Sequence, residues 1–230
     1  MIIKKLLFTL LLLAIVYLPA FIFISFLTMN SHRFATKVQT TPWLLVPIIA
    51  GITLMMALIL ISIFSRFNFS DYGFKLSRNL MILKALICGL VIGGVLSFAG
   101  SFVPSRELSF GSLTFLQQLL VFWILASVTE EIIFRGLIQT YLSWHISGSV
   151  TIFKSQLTIA GLIAAIFFGL VHLALLSQGA ATFQAITIVL RALILGIIAG
   201  YFRDKTGSLV APIIVHSLFN ITGSIVGTAI

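Results

Sequence analysis

Glu130 and Glu131 stand side by side in an otherwise apolar run, Trp123-Ile124-Leu125-Ala126-Ser127-Val128-Thr129-Glu130-Glu131-Ile132-Ile133-Phe134-Arg135-Gly136. A carboxylate at the centre of a bilayer costs on the order of 3 kcal/mol even on lenient insertion scales. Two in succession therefore require a compensating structure or a chemical role. Successive side chains on a helix point about 100° apart, so the two carboxylates cannot face one cavity squarely. Glu131 and Arg135, at i and i+4, share a face with the acid N-terminal, the favourable order for an ion pair. Arg135 can neutralise Glu131, which leaves Glu130 on a different face and free to move protons. The structural alternative is a buried polar network that holds helices together.

Two further apolar segments carry polar groups. His172 lies in Ala165-Ile166-Phe167-Phe168-Gly169-Leu170-Val171-His172-Leu173, with no polar side chain within four residues. A lone histidine on an apolar helix is more often a hydrogen-bonded core residue than a catalyst. The unexplained acids on another segment shift that balance, because an imidazole beside a carboxylate is a workable proton-transfer pair or metal site. His216 and Asn220, in Val215-His216-Ser217-Leu218-Phe219-Asn220, stack on one helical face at i and i+4. A ring N–H and an amide NH2 together can serve one developing negative charge, as an oxyanion hole requires. The same pair can also make interhelical hydrogen bonds. Arg191 is another charge in an apolar segment, able to pair with Glu130 or Glu131 or to snorkel. His32 and His145 read as surface histidines.

The elements that must position these groups are membrane helices. The chain has 230 residues, 60% hydrophobic and 8% charged, with a mean hydropathy of +1.21. A soluble domain carries about 25% charged residues, so much of this surface must face lipid. About 20 apolar residues cross the hydrocarbon core, and such stretches fall at roughly 6–27, 42–64, 80–103, 115–137, 157–177, 183–202 and 209–229. The connectors are too short for a folded extramembrane domain. The expected fold is thus all-α: one polytopic bundle over 1–230 of about seven spans, with no soluble domain and helices of unassigned role in 1–104. The apolar run after Lys4 and Lys5 is longer than a signal-peptide core and has no A-x-A site, so a retained first helix is expected.

Charge placement speaks to topology. Lys4, Lys5, Arg66, Lys75, Arg78, Lys84, Lys154, Arg203 and Lys205 fall on one side, against Arg33, Lys37 and Arg106 on the other, which predicts a cytoplasmic N-terminus. Asp71, Glu107 and Asp204 fall in connectors. The net charge of +9 is scattered, without the patch or aromatic-interleaved stripe that nucleic acid requires. Cys88 is alone, which excludes an internal disulfide and reads as packing. The compact helices and basic N-terminus suit a bacterial plasma membrane.

Taken in order, Glu-Glu-x-x-x-Arg, Phe-x-x-x-His and His-x-x-x-Asn on three spans resemble the CPBP family of intramembrane proteases. That group includes the CAAX prenyl endopeptidases and the bacteriocin-processing or self-immunity proteins of the Abi type. The matching residues are Glu130, Glu131 and Arg135, then Phe168 and His172, then His216 and Asn220. The stretch Lys205-Thr206-Gly207-Ser208-Leu209-Val210-Ala211-Pro212 resembles the family's lead-in to the last motif. The resemblance covers roughly 115–222 as a catalytic core. It implies a glutamate-type endopeptidase in which Glu130 and His172 activate water and His216 with Asn220 holds the oxyanion, while Glu131 and Arg135 support the site. The expected substrate is a membrane-associated peptide or lipidated protein, reaching the buried site through the bilayer or from the cytoplasmic face.

No His-Glu-x-x-His, Gly-x-Gly-Asp or Gly-x-Ser-Gly is present for the zinc, aspartyl or rhomboid types. Glu130, His172 and His216 are the residue types of a three-ligand catalytic zinc. A donor role for Asn220 beside His216 favours a site needing no cofactor. A non-catalytic scaffold or a proton-coupled transporter would use the same polar cluster differently. Depth raises a tension. At 1.5 Å per residue, Glu130 and His172 each lie about 22 Å along their spans from opposite ends, while His216 lies about 10 Å in. The fifth helix must start deeper than hydropathy suggests, or the fourth and fifth must be tilted or broken.

Overall fold

A computed structural model describes residues 2–77, 79, 81–103, 113–152 and 155–229, with side chains as far as residue 226. Arg78, Arg106, Glu107 and Lys154, which entered the charge reading, lie outside the described residues.

The first helix, α1 (Ile2–Asn30), is apolar all round and buries a single stripe, Thr9, Leu12, Leu13, Val16 and Ala20. Spacings of three and four put that stripe on one face, while the outward Leu, Ile and Phe side chains are exposed, as a lipid-facing helix requires. A short helix follows, α2 (His32–Thr40), its first turn capped by the Ser31 hydroxyl accepting from Phe34 N–H. Then come α3 (Leu45–Ser65), entered through Pro42–Leu44, and α4 (Ile82–Ser101).

The helix that bears the glutamates, α5 (115–145), is continuous but irregular. The α segments Phe115–Gln117, Ser127–Glu131 and Gln139–His145 alternate with π segments Gln118–Ala126 and Ile132–Ile138. Beyond it an antiparallel hairpin, β1 (Ser149–Ile152) and β2 (Ser155–Thr158), pairs Ser149 with Thr158 and Ile152 with Ser155. The chain then forms α6 (Ile159–Val171), which passes into a 3-10 turn at His172–Gln178, then α7 (Thr182–Thr206) and α8 (Val210–Ala229).

The all-α membrane bundle expected from composition is what forms. Among the described residues, Ile2–Asn30, Pro42–Ser65, Ile82–Ser101, Ile159–Gln178 and Thr182–Thr206 are long and apolar enough to cross a membrane, and Val210–Val226 is a shorter apolar helix. The remaining expected stretch, 115–137, lies on α5. The departure is the hairpin, where a plain connector was expected. Asp204, also expected in a connector, sits in the last turn of α7 and ties three elements together. Its Oδ1 accepts from Gln139 Nε2 at 2.8 Å and its Oδ2 from Thr158 Oγ1 at 2.7 Å. Thr158 Oγ1 in turn caps α6 by accepting from Gly161 N–H.

Two seams of small residues bring helix backbones close. On α4, Ala85, Gly89, Gly93 and Ser97 recur every fourth residue and are all buried. A Cβ at Gly93 would stand 2.9 Å from Phe219 Cα and 2.5 Å from Thr222 Oγ1, and one at Gly89 would stand 3.0 Å from Val215 O. On α6 and α7, a Cβ at Gly196 would stand 2.9 Å from Ala165 Cβ, and one at Gly169 would stand 3.2 Å from Val189 O. Such seams allow close packing where lipid supplies no hydrophobic drive. The first fixes α8, and with it His216 and Asn220, against α4. That gives one of the N-terminal helices a role.

The connector after α3 docks beneath α5. Tyr72 is 1% exposed and meets the Trp144 ring edge-on at 5.3 Å. Burial, reinforced by the Asp71 charge, pushes its phenol up to about 12, so it stays neutral at working pH.

Candidate active site

Glu130 and Glu131 sit in the short α segment between the two π segments of α5. A π turn takes an extra residue and shifts the register of the faces that follow, and such turns are frequent at functional sites. The two carboxylates divide as the helical geometry predicts. Glu131 and Arg135 are fully buried, with Arg135 Nε 3.2 Å from Glu131 Oε2. The Glu130 side chain is 29% exposed and faces a cavity of about 670 Å3 between α5, α6, α7 and α8.

His216 on α8 completes the pair in a way the spacing did not foretell. Its Nδ1 lies 2.8 Å from Glu131 Oε1 and its Nε2 3.6 Å from Glu130 Oε2. A carboxylate paired with Arg135 only accepts, so Nδ1–H is the donor and the tautomer is set. Glu131 thus holds both Arg135 and His216, and Nε2 is the nitrogen left for chemistry.

His172 marks the end of α6, where the helix tightens into the 3-10 turn. Its Nδ1–H donates to Phe168 O at 2.8 Å. A carbonyl only accepts, so the neutral ring keeps Nε2 as an acceptor, and His172 lines the same cavity as Glu130, His216 and Asn220.

Phe168 is the packing centre of the site. Its ring lies under the Arg135 guanidinium, 4.6 Å from Cζ to the centroid. It meets Phe134 at 5.0 Å, His172 at 5.1 Å and His216 at 5.6 Å, all edge-on. The face of a phenyl ring attracts a desolvated cation, so one side chain steadies the buried arginine and both histidines. The sequence reading took Phe168 only as part of a motif.

Asn220 does not present a free amide. Its Nδ2 donates to Phe122 O at 3.2 Å and to Ser127 Oγ at 3.1 Å, so it ties α8 to α5. Arg191 pairs with neither glutamate. Its Nη2 donates to Ser97 Oγ at 2.7 Å and its Cζ lies 5.7 Å from the Phe219 centroid. Glu130, His172 and His216 line one cavity, with α5 irregular around the glutamates and the α-helical part of α6 ending at His172.

Among the described residues, no three His, Cys, Asp or Glu side chains converge as metal ligands do. The trio Glu130, His172 and His216 does not form a ready zinc site.

Residues 112–222 match the family model described as Rce1-like, type II CAAX prenyl endopeptidase Rce1-like. No curated protein and no solved structure matches the chain. The matched stretch begins just ahead of α5 and ends two residues past Asn220, so it spans all three motifs and agrees with the CPBP resemblance.

Proposed function

We propose that this protein is an intramembrane endopeptidase acting on a membrane-associated or lipidated peptide, a reading supported by the match of residues 112–222 to the Rce1-like, type II CAAX prenyl endopeptidase family model. The observation that carries the reading is convergence: Glu130, His172, His216 and Asn220, from three separate helices, line one cavity beneath which Glu131 and Arg135 are tied.

Water enters between Glu130 and His172. Glu130 takes a proton from it while His172 Nε2 accepts a hydrogen bond from it and aligns it. The oxygen adds to the scissile carbonyl, whose π electrons pass to the carbonyl oxygen. A second proton on His216 puts an N–H on Nε2 facing that oxyanion, and Glu131 balances the ring's charge through Nδ1. Glu130 then gives its proton to the departing amine as the C–N bond breaks, so protons and electrons balance. A donor held in place, as the His216 ring is by Glu131, acts with little reorganisation, which is the main advantage of an oxyanion site. For Asn220 to join, its NH2 must exchange the Ser127 hydroxyl for the oxyanion.

The Asn220 ties to Phe122 and Ser127 also fit a non-catalytic scaffold that uses these groups for helix packing. Cleavage by purified protein in detergent separates the readings, using a pooled library of acylated and plain peptides with and without chelator. We expect wild type to cut, His172→Ala and His216→Ala each to lose about 10²–10⁴-fold in kcat/KM, and chelator to change nothing. Equal cleavage by the variants would leave the cluster a packing device.

A further inference from the structure

A separate groove of about 530 Å3 opens between α4, α7 and the hairpin, and it shares no lining residue with the catalytic cavity. Buried Phe202 and Leu157 form its floor, and its walls carry Ile87, Cys88, Ile92 and Ile198. Both α4 and α7 pack on α8, and the groove is the space left between them. It is open to lipid, since Ile87 and Ile152 on its rim are exposed. It runs from Met81, just ahead of α4, to Ile92, ten residues past Ile82, a length of about 15 Å at 1.5 Å per residue. On α7 it reaches Ile197, nine residues from the helix end at Thr206. Half of a hydrocarbon core about 30 Å thick has the same depth. The groove therefore spans one leaflet, the reach of one acyl chain.

The mouth of the groove is basic. Lys84, in the first turn of α4, lines it. Lys205, in the last turn of α7, stands with its Nζ 5.8 Å from the ring centroid of Tyr201, another lining residue. Among the described residues no carboxylate forms an ion pair with either lysine. Asp204, next to Lys205 in the chain, accepts instead from Gln139 and Thr158. Lysines at the membrane surface attract anionic headgroups, and a tyrosine suits the headgroup level. Within lipid, association is driven by packing. A chain laid in a concave aliphatic groove gains dispersion contacts that the convex helix faces do not offer.

We propose that this groove binds an anionic phospholipid, with one acyl chain lying between α4 and α7 and the headgroup facing Lys84 and Lys205. The site stands independently of the peptidase reading. It bears on the catalytic cavity through α4, whose Gly89 and Gly93 seat α8 and with it His216 and Asn220. A chain filling the space between α4 and α7 steadies that seam. The lipid anchor of a substrate could use the same apolar walls, but the basic mouth and the separation from the catalytic cavity favour the phospholipid.

Cys88 is the single cysteine of the chain and lines the groove, so its reactivity reports occupancy. Full-length protein, stripped of lipid in mild detergent, is titrated with phosphatidylglycerol, with phosphatidylcholine of the same chains, with soluble glycerol phosphate and with a palmitoylated peptide. Binding is counted by native mass spectrometry, and alkylation of Cys88 by N-ethylmaleimide is timed. We expect phosphatidylglycerol to bind about tenfold tighter than phosphatidylcholine, to slow alkylation severalfold and to raise the unfolding midpoint. Glycerol phosphate, which lacks the chains, should do none of these. Lys84→Gln with Lys205→Gln should bring phosphatidylglycerol down to the phosphatidylcholine level and leave phosphatidylcholine binding unchanged. Ile198→Trp, which fills the groove, should weaken both. The proposal is overturned if the two phospholipids bind alike, if bound lipid leaves Cys88 as reactive as before, or if the lysine pair leaves the preference intact. Protection of Cys88 by the palmitoylated peptide and not by phosphatidylglycerol would also overturn it and assign the groove to a substrate's lipid anchor.

Discussion

Replacing Glu131 by glutamine should destabilise the protein severely, and replacing Arg135 as well should restore much of the loss. Both side chains are completely buried, and Glu131 is the carboxylate that ion-pairs with Arg135. The three guanidinium nitrogens otherwise lack hydrogen-bond partners among the described residues, leaving the Phe168 ring at 4.6 Å as the other support. Removing one member of a buried ion pair strands the other charge and costs about 3–5 kcal/mol, whereas replacing both with groups of similar volume is close to neutral. Glu131→Gln and Arg135→Met should each fall in that range. The double variant should cost less than either single change, which requires a coupling energy of at least about 3–5 kcal/mol, at or above the upper end usual for contacting residues. The assay is unfolding in mild detergent with increasing SDS, followed by the fluorescence of Trp43, Trp123 and Trp144. The double variant should nevertheless stay inactive, because His216 has lost the carboxylate that holds its Nδ1–H. Strict additivity of the two losses would refute the pairing as the source of stability.

Phe168→Ala should cost about 3–5 kcal/mol in the same unfolding assay and abolish cleavage, since it removes the support under Arg135 and both histidines together. Gly93→Leu should separate α4 from α8, because its Cβ alone would stand 2.9 Å from Phe219 Cα; activity should fall further than stability, as measured by kcat/KM against the unfolding midpoint. Asp204→Asn weakens the acceptor that holds Gln139 and Thr158 and should lower stability by about 1–3 kcal/mol with cleavage largely kept, the reverse of the Gly93 pattern.

How far the sequence foretold this arrangement depended on the range of each interaction. The Glu131–Arg135 pair was legible because i, i+4 spacing on a helix dictates proximity, and the same geometry separated Glu130 from it. The link between His216 and Glu131 was not, because it joins helices 85 residues apart and no local pattern encodes which histidine nitrogen meets which oxygen. Asn220 shows the same limit: its spacing to His216 suggested a shared target, while its hydrogen bonds to Phe122 and Ser127 come from the packing of α8 on α5. The hairpin at 149–158 is short and flanked by helices, so hydropathy passes over it. The small-residue seam at 85, 89, 93 and 97 was present in the sequence at a strict spacing of four, and a search for such spacing would have found the partner face for α8.

The central claim is that Glu130, set apart from the buried Glu131–Arg135 pair, performs the proton transfers of peptide hydrolysis. The direct measurement is single-turnover cleavage of a peptide that the wild-type protein cuts, comparing wild type with Glu130→Gln after both are shown to unfold at similar detergent stress. The account predicts a fall in the cleavage rate of about 10²–10⁴-fold with binding of the peptide retained. Cleavage by Glu130→Gln at the wild-type rate would contradict it.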